Sequence, residues 1–253
     1  MRTELAPRTL DSRRQVKLSE NELARKPLDI IESYGPTEIL QIGDEEVVLL
    51  PSRSVPERYL DKSLWERKVG MGTARCVYSV DQLTTGEDPQ LVVKNGEREF
   101  TTNPKNLERG TVWWDGPRSN DKPVRLDSSL TEVQTVWEAA VLTELWGKGI
   151  SAETPQALIT RPDGRVSLVV DRIDERYVPT RGKGPTHEEL LEKVAHETEL
   201  SPVDASRYNA LTDSDGYTHL IDVNRWGWSP HTDAFNQTIV EAIKARKSEL
   251  NKF

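Results

Sequence analysis

The sequence predicts an α+β chain: an antiparallel sheet carrying one helix, then a smaller and mostly helical segment. Three observations carry this. Short β-favouring runs, separated by Gly and Pro breakers, recur from Thr37 to Val170. One strongly periodic helix interrupts them between Leu130 and Trp146. A polar stretch rich in Gly, Pro and Arg, Asp171 to Gly184, then separates these runs from the C-terminal segment, as a hinge between two lobes would. The 253 residues are 35% hydrophobic and 30% charged, enough for a sizeable core inside a large polar surface.

In chain order, Met1 to about Arg25 is charged and without a sustained period, so residues 1–35 read as a flexible N-terminal extension. A first lobe then spans 36–173. E-I-L-Q-I and V-V-L-L flank the turn G-D-E-E, which is a hairpin pattern ended by Pro51 and Pro56. K-V-G-M-G-T-A-R-C-V-Y-S-V, from Lys68 to Val80, reads as strand, glycine turn, strand. Q-L-V-V-K is a further strand ending in Lys94. Asn95 to Ser129, with Trp113, Trp114 and a G-P pair, is too long for an ordinary connection and reads as an insertion packed by its own tryptophans.

Leu130, Val133, Val136, Trp137, Ala140, Val141 and Leu145 recur at helical spacing until Gly147 and Gly149 stop the helix. Q-A-L-I and V-S-L-V-V form a hairpin around Pro162–Gly164. The second lobe, 174–253, opens with a helix over H-E-E-L-L-E-K-V-A-H, with Leu190, Leu191, Val194 and Ala195 on one face. A-L-T-D-S-D-G-Y-T-H-L-I-D is a tight hairpin, and Phe235, Ile239, Val240 and Ile243 mark a final helix. The W-G-W of Trp226 to Trp228 reads as a staple between that helix and the core.

Composition excludes several classes. No apolar run approaches the roughly 18–20 residues that a membrane span needs, and the N-terminus lacks a signal-peptide core. Thirty-four basic against 42 acidic residues, net −8, give no global attraction to nucleic acid. The lone Cys76 rules out an internal disulfide and fits a reducing, cytoplasmic compartment; four scattered His make no metal set.

The order of polar residues points to phosphoryl transfer. Gly70 and Gly72, with Val77 after them, hold the places of a loop whose backbone amides approach nucleotide phosphates while the valine packs on the base. Lys94, at the end of an apolar strand, has the reach for two phosphates with its stem buried. Glu138, at the border of the helix stripe, is placed to pair with Lys94; Glu132 and Glu144 are rivals, and the spacing from Glu138 to Gly149–Ile150 favours it. In D-A-S-R-Y-N-A-L-T-D-S-D-G-Y-T-H-L-I-D-V-N, Asp204 would accept the acceptor hydroxyl's proton, and Asn209 and Asp222 would hold magnesium.

Taken together, these segments resemble the protein-kinase-like superfamily, in particular its small atypical members, the aminoglycoside and choline phosphotransferases and the RIO and Bud32 type kinases. The resemblance runs from about Val69 to Trp226. G-M-G-T-A-R-C-V-Y is similar to the glycine-rich loop, V-V-K to the third-strand lysine segment, W-E-A-A-V-L-T-E-L-W-G-K-G-I to helix C, D-A-S-R-Y-N to the catalytic loop and L-I-D-V-N to the D-F-G segment.

The resemblance implies a two-lobed fold with a five-stranded N-lobe sheet and a minimal C-lobe, Lys94 close to Glu138, and ATP with Mg2+ as cofactors. It also implies that backbone groups near Asp171 to Ile173 hold adenine. The γ-phosphoryl acceptor, a protein or small-molecule hydroxyl, is left open. The sequence departs from the pattern at Arg75 (for the third glycine), Pro202 (for a histidine) and D-V-N (for D-F-G). Those departures keep a second reading in view, a pseudokinase-like scaffold that binds a partner protein with or without nucleotide.

Overall fold

An antiparallel sheet of seven strands, backed by a helix on one face, organises the molecule. The computed structural model describes residues 20–54, 67–71, 75–79, 91–96, 99–100, 124–125, 128–162, 164–173, 183–202, 205–224 and 226–228. The strands are β1 (Glu38–Ile42), β2 (Glu45–Leu49), β3 (Arg67–Met71), β4 (Arg75–Ser79), β5 (Leu91–Gly96), β8 (Pro155–Thr160) and β9 (Val166–Asp171), in the spatial order β1-β2-β8-β9-β5-β4-β3. Within the insertion, β6 (Glu99–Phe100) pairs with β7 (Val124–Arg125). The remaining insertion residues, Trp113 and Trp114 included, lie outside the described residues.

Register decides which side chains meet the helix. Val92 and Lys94 on β5 stand opposite Val170 and Leu168 on β9, and Leu168 stands opposite Leu158 on β8. Strand side chains alternate between faces, so these five share one side of the sheet. Val92, Leu158, Leu168 and Val170 belong to the main core beneath the helix. The alternate residues Leu91, Val93, Ala157, Ile159 and Val169 join Val47 and Leu49 in a second buried cluster on the other face. Burial on both faces explains why Leu91–Val93, Ala157–Ile159 and Leu168–Val170 are unbroken apolar runs rather than alternating ones.

The helix on the first face is α2 (Ser128–Gly147), packed across β5, β8 and β9. The sequence pattern suggested one apolar stripe, yet from Val133 to Leu145 every residue except the half-buried Val136 is buried. Its outer side is covered by α1 (Glu20–Ser33) and by the segment around Trp226 and Trp228. A helix covered all round shows no single stripe, and its polar members must be satisfied internally. Thr143 Oγ1 donates to Ala139 O (2.8 Å), and Glu144 Oε2 accepts from Trp228 Nε1 (2.6 Å).

Helix α1 corrects the reading of residues 1–35 as a flexible extension. Residues 20–33 are helical, Ile31 is buried against α2, and residues 1–19 lie outside the described residues. The spacing of Leu23, Pro27, Ile30 and Ile31 is amphipathic, but Pro27 inside the helix lowers its propensity, and packing on α2 supplies what local propensity does not. The junction between the two helices includes a close approach: a Cβ at Gly147 would run into the ring of Tyr34, just beyond α1, so a larger residue there would displace that ring.

The segment after the linker contains α3 (His187–Glu197), β10 (Leu200–Ser201), a 3-10 turn (Arg207–Asn209), β11 (Ala210–Thr212), β12 (Thr218–Leu220) and β13 (Gly227–Trp228). A capping box starts α3: Thr186 Oγ1 accepts from the Glu189 N–H, and Glu189 Oε2 accepts from the Thr186 N–H. Leu190 and Val194 are its buried residues, while Ala195 is exposed. Two small ribbons, β10 with β13 and β11 with β12, accompany the helix, so this part is less helical than expected among the described residues; the expected final helix lies outside them.

The described residues of this segment pack into the main core. Leu190, Val194, Leu220, Val223, Trp226 and Trp228 sit in the same cluster as Trp137 and the sheet residues. Trp137 Nε1 donates to Trp226 O (2.6 Å), and the rings of Trp137 and Trp228 meet edge-on at 5.6 Å. The W-G-W staple is therefore fastened to α2.

Candidate functional site

Lys94 is a buried ammonium, with only 6% of the residue exposed, on the helix-facing side of the sheet. An isolated charge there would be costly, and carboxylates offset the cost. Glu138, wholly buried in the middle of α2, places Oε1 3.1 Å from Lys94 Nζ. Glu153, 7% exposed in the loop before β8, contacts the same ammonium through Oε2. The rival Glu144 lies further along α2 and is engaged by Trp228; the side chain of Glu132 lies outside the described residues.

The glycine hairpin lies in register with this lysine. Gly70 on β3 is paired with Val77 on β4, and Val77 with Lys94 on β5, so three residues singled out from the sequence form one row across the sheet. A register irregularity between Lys68 and Gly70 marks the glycine strand. Gly72 lies outside the described residues.

Asn209 and Asp222 are brought together through the main chain. Asn209 ends the 3-10 turn, and its carbonyl accepts from the N–H of Ile221 (2.9 Å), the residue before Asp222. Asp222 is half-buried, with φ at +53°, the one described non-glycine residue in the left-handed region. Its Oδ1 accepts from Asn224 Nδ2 (2.8 Å). Such strain persists only where surrounding contacts hold it, and it concentrates at ligand sites. Asp204, the candidate catalytic carboxylate, lies outside the described residues.

A second main-chain link joins Asp222's segment to Lys94. The Glu153 N–H donates to Leu220 O (3.1 Å), the Leu220 N–H donates to Ser151 O (3.0 Å), and Ala152 forms a parallel bridge with Leu220. Side chains reinforce it: Ser151 Oγ lies 3.0 Å from His219 Nδ1, and His219 Nε2 lies 2.8 Å from Asp213 Oδ2. Burial alone would raise the Asp213 pKa, but His219 and the N–H groups of Tyr217 and Asp215 outweigh it and hold the carboxyl below the ordinary value. Sequence reading missed Glu153 and Asn224. S-A-E-T between a glycine stop and Pro155 looks like any solvated loop, whereas the third place of D-V-N was the one available sign of Asn224.

At the end of β9, Asp171 is fixed rather than open. Its N–H donates to Thr154 O (3.0 Å), so that group is not available to a ligand; its Oδ1 accepts from Gln156 Nε2 (2.9 Å). Gln156, buried at the β8 bulge, also accepts from the Ser54 N–H (2.8 Å). Burial pushes the Asp171 pKa up to about 6 against its ordinary 3.8, opposed by the hydrogen bonds from Thr154 and Gln156.

The folded state thus favours the neutral acid. The stability this gives is fully present below pH 3.8 and is lost as pH rises to about 6. Asp171→Asn keeps an oxygen for Gln156 and removes the charge, so it should stabilise the protein by about 1 kcal/mol at pH 7 and leave it unchanged below pH 4. That value is reduced from the full linkage because the side chain is partly open to solvent. Urea melts at both pH values test it; equal stability of parent and variant at pH 7 would contradict it.

A cleft of about 430 Å3 opens elsewhere, between the C-terminal ends of α1, α2 and α3, with Tyr34, Glu144, His196 and Trp228 in its wall; Lys94 does not line it. Among the described residues no group of three or more His, Cys, Asp or Glu is arranged to hold a metal ion by itself. No described helix is long and apolar enough to cross a membrane.

Fold and site together define an α+β protein with an antiparallel sheet, three described helices and a buried lysine held between helix and loop carboxylates. No family model matches the sequence, and no curated protein matches it. Among solved structures, the chain has similarity to one described as a co-crystal structure of WbdD and the kinase inhibitor LY294002, with a TM-score of 0.38 and 16% identity. The match covers 74% of this chain and 37% of that one, so the chain spans well under half the length of that protein. Similarity at that level does not place the chain in a family.

Proposed function

We propose that the chain is an atypical, kinase-like phosphotransferase that passes the γ-phosphoryl group of ATP to a hydroxyl of a protein or small molecule. The buried Lys94–Glu138 pair carries this reading: a strand lysine fixed by a helix carboxylate, in register with a glycine hairpin, is the arrangement the motif order requires. The residues present suit the nucleotide. Lys94 offers a cation directed by Glu138, the Gly70 hairpin offers close backbone approach, and Asp222 with Asn209 offers oxygen ligands on two chain segments joined by a main-chain hydrogen bond.

When bound, magnesium-ATP supplies the transferable phosphoryl group. Lys94 would orient phosphate oxygens, Asn209 and Asp222 would hold the metal, and Asp204 would accept the hydroxyl proton. Backbone groups near Asp171 to Ile173 would hold adenine, with the Asp171 N–H already committed to Thr154 O. A cytoplasmic location, consistent with the lone Cys76, belongs to the same proposal.

Asp222→Asn should abolish phosphoryl turnover and magnesium-dependent nucleotide binding while leaving the fold largely intact. Calorimetric titration with ATP, with and without Mg2+, and an assay of phosphoryl release test this, and undiminished turnover in the variant would overturn the assignment. A non-catalytic scaffold is the second reading, favoured by one observation: Glu153 occupies the lysine that phosphates would need. It predicts no turnover by the parent protein.

A further inference from the structure

Lys94 brings one positive charge to its site, and two carboxylates meet it. The two come from different parts of the fold. Glu138 rides on the wholly buried middle of α2, while Glu153 sits on a loop whose N–H is tied to Leu220, two residues before Asp222. Lys94 with Glu138 is already neutral. Glu153 adds a second negative group where little water screens it, within contact distance of the ammonium that a phosphate would have to reach.

The Lys94 ammonium has three N–H donors; Glu138, fixed in the middle of α2, directs it by one, and phosphate oxygens that need the others meet Glu153 as their competitor. Resting on the phosphotransferase reading, we infer that Glu153 is a competing counter-ion that occupies Lys94 in the nucleotide-free protein, yields it to phosphate oxygens, and thereby sets nucleotide affinity. Glu153 is an affinity-determining residue that acts through Lys94. The hydrogen bond from its N–H to Leu220 joins its loop to the segment bearing Asp222, so release of the lysine and seating of the metal ligand involve one connected stretch of backbone.

The test compares the dissociation constant of magnesium-ATP, by calorimetry on the full chain, for parent, Glu153→Gln and Glu138→Gln, with melting of each protein without ligand. Glu153→Gln keeps the side chain's volume and leaves one ammonium with one carboxylate. Its melting point should not fall below the parent's, and its affinity should rise by about tenfold or more. Glu138→Gln should weaken binding. A structural role for Glu153 predicts the opposite, a loss of both stability and affinity.

Equal or weaker binding by Glu153→Gln, with the parent binding normally, overturns the counter-ion role and leaves the nucleotide site standing. No binding by any of the three proteins overturns both. Binding by Glu153→Gln alone is the extreme form of the expected result. Should the glutamine pack badly and unfold the protein, Glu153→Ala removes the same charge and is held to the same outcomes.

Discussion

Lys94→Met should destabilise the protein by about 3–5 kcal/mol, as expected when one partner is removed from a buried ion pair. Methionine fits the stem of the lysine but leaves Glu138 and Glu153 facing each other, both almost completely buried, without the cation that separates them. The loss comes from the missing cation rather than from packing. Adding Glu138→Gln and Glu153→Gln to Lys94→Met should therefore restore most of the stability, since an uncharged trio of similar volume needs no counter-ion. Urea denaturation of the single and triple variants measures both effects. A loss below about 1 kcal/mol in Lys94→Met would mean that the carboxylates are neutralised by other means.

The second large effect is expected at Trp137. Its ring is completely buried at the centre of the main core, meets Trp228 edge-on, and donates Nε1–H to Trp226 O. Trp137→Ala opens a cavity the size of an indole and leaves that carbonyl without its donor. The cavity should cost about 3–5 kcal/mol, and the lost hydrogen bond about 1 kcal/mol or more. Trp137→Phe isolates the second term, because it keeps most of the ring and loses only the donor. Since α2 and the segment ending at Trp228 are joined here, Trp137→Ala and Trp228→Ala should be strongly non-additive in a double-mutant cycle. Simple additivity would show that the two rings are not energetically coupled.

Local signals in the sequence matched the elements they specify. Gly43 and Gly216, both at positive φ, turn the hairpins read at 37–50 and 210–222. The glycine stop of α2 was likewise legible, because a turn or a helix stop is decided by neighbouring residues. Lys94 against Glu138 was legible for a different reason: the order of the motifs placed both residues, and the spacing from Glu138 to Gly149–Ile150 favoured it over Glu132 and Glu144.

The features that stayed hidden depend on distant packing. Residues 20–33 carry an amphipathic spacing interrupted by Pro27, and they fold against α2, which receives them. The β1–β2 hairpin was visible as a hairpin, but nothing local shows that β2 joins β8 and extends a five-stranded sheet to seven. Glu153 is separated from Lys94 by 59 residues and sits in a loop with no periodicity to aim it. Its role depends on the backbone register with Leu220, which only the folded chain reveals. The continuous core shared by Val194, Trp228 and the sheet is another long-range result that no local pattern announces.

The central claim, a nucleotide site built around Lys94 and Asp222, is tested most directly by thermal melting of the parent protein and of Asp222→Asn, each alone, with ATP, and with ATP plus magnesium. A ligand that binds only the folded state stabilises it by about 2.7 kcal/mol at a hundredfold excess over its dissociation constant. A rise in the parent's midpoint that needs magnesium and disappears in Asp222→Asn is the predicted result. Identical midpoints under all conditions in both proteins would contradict it.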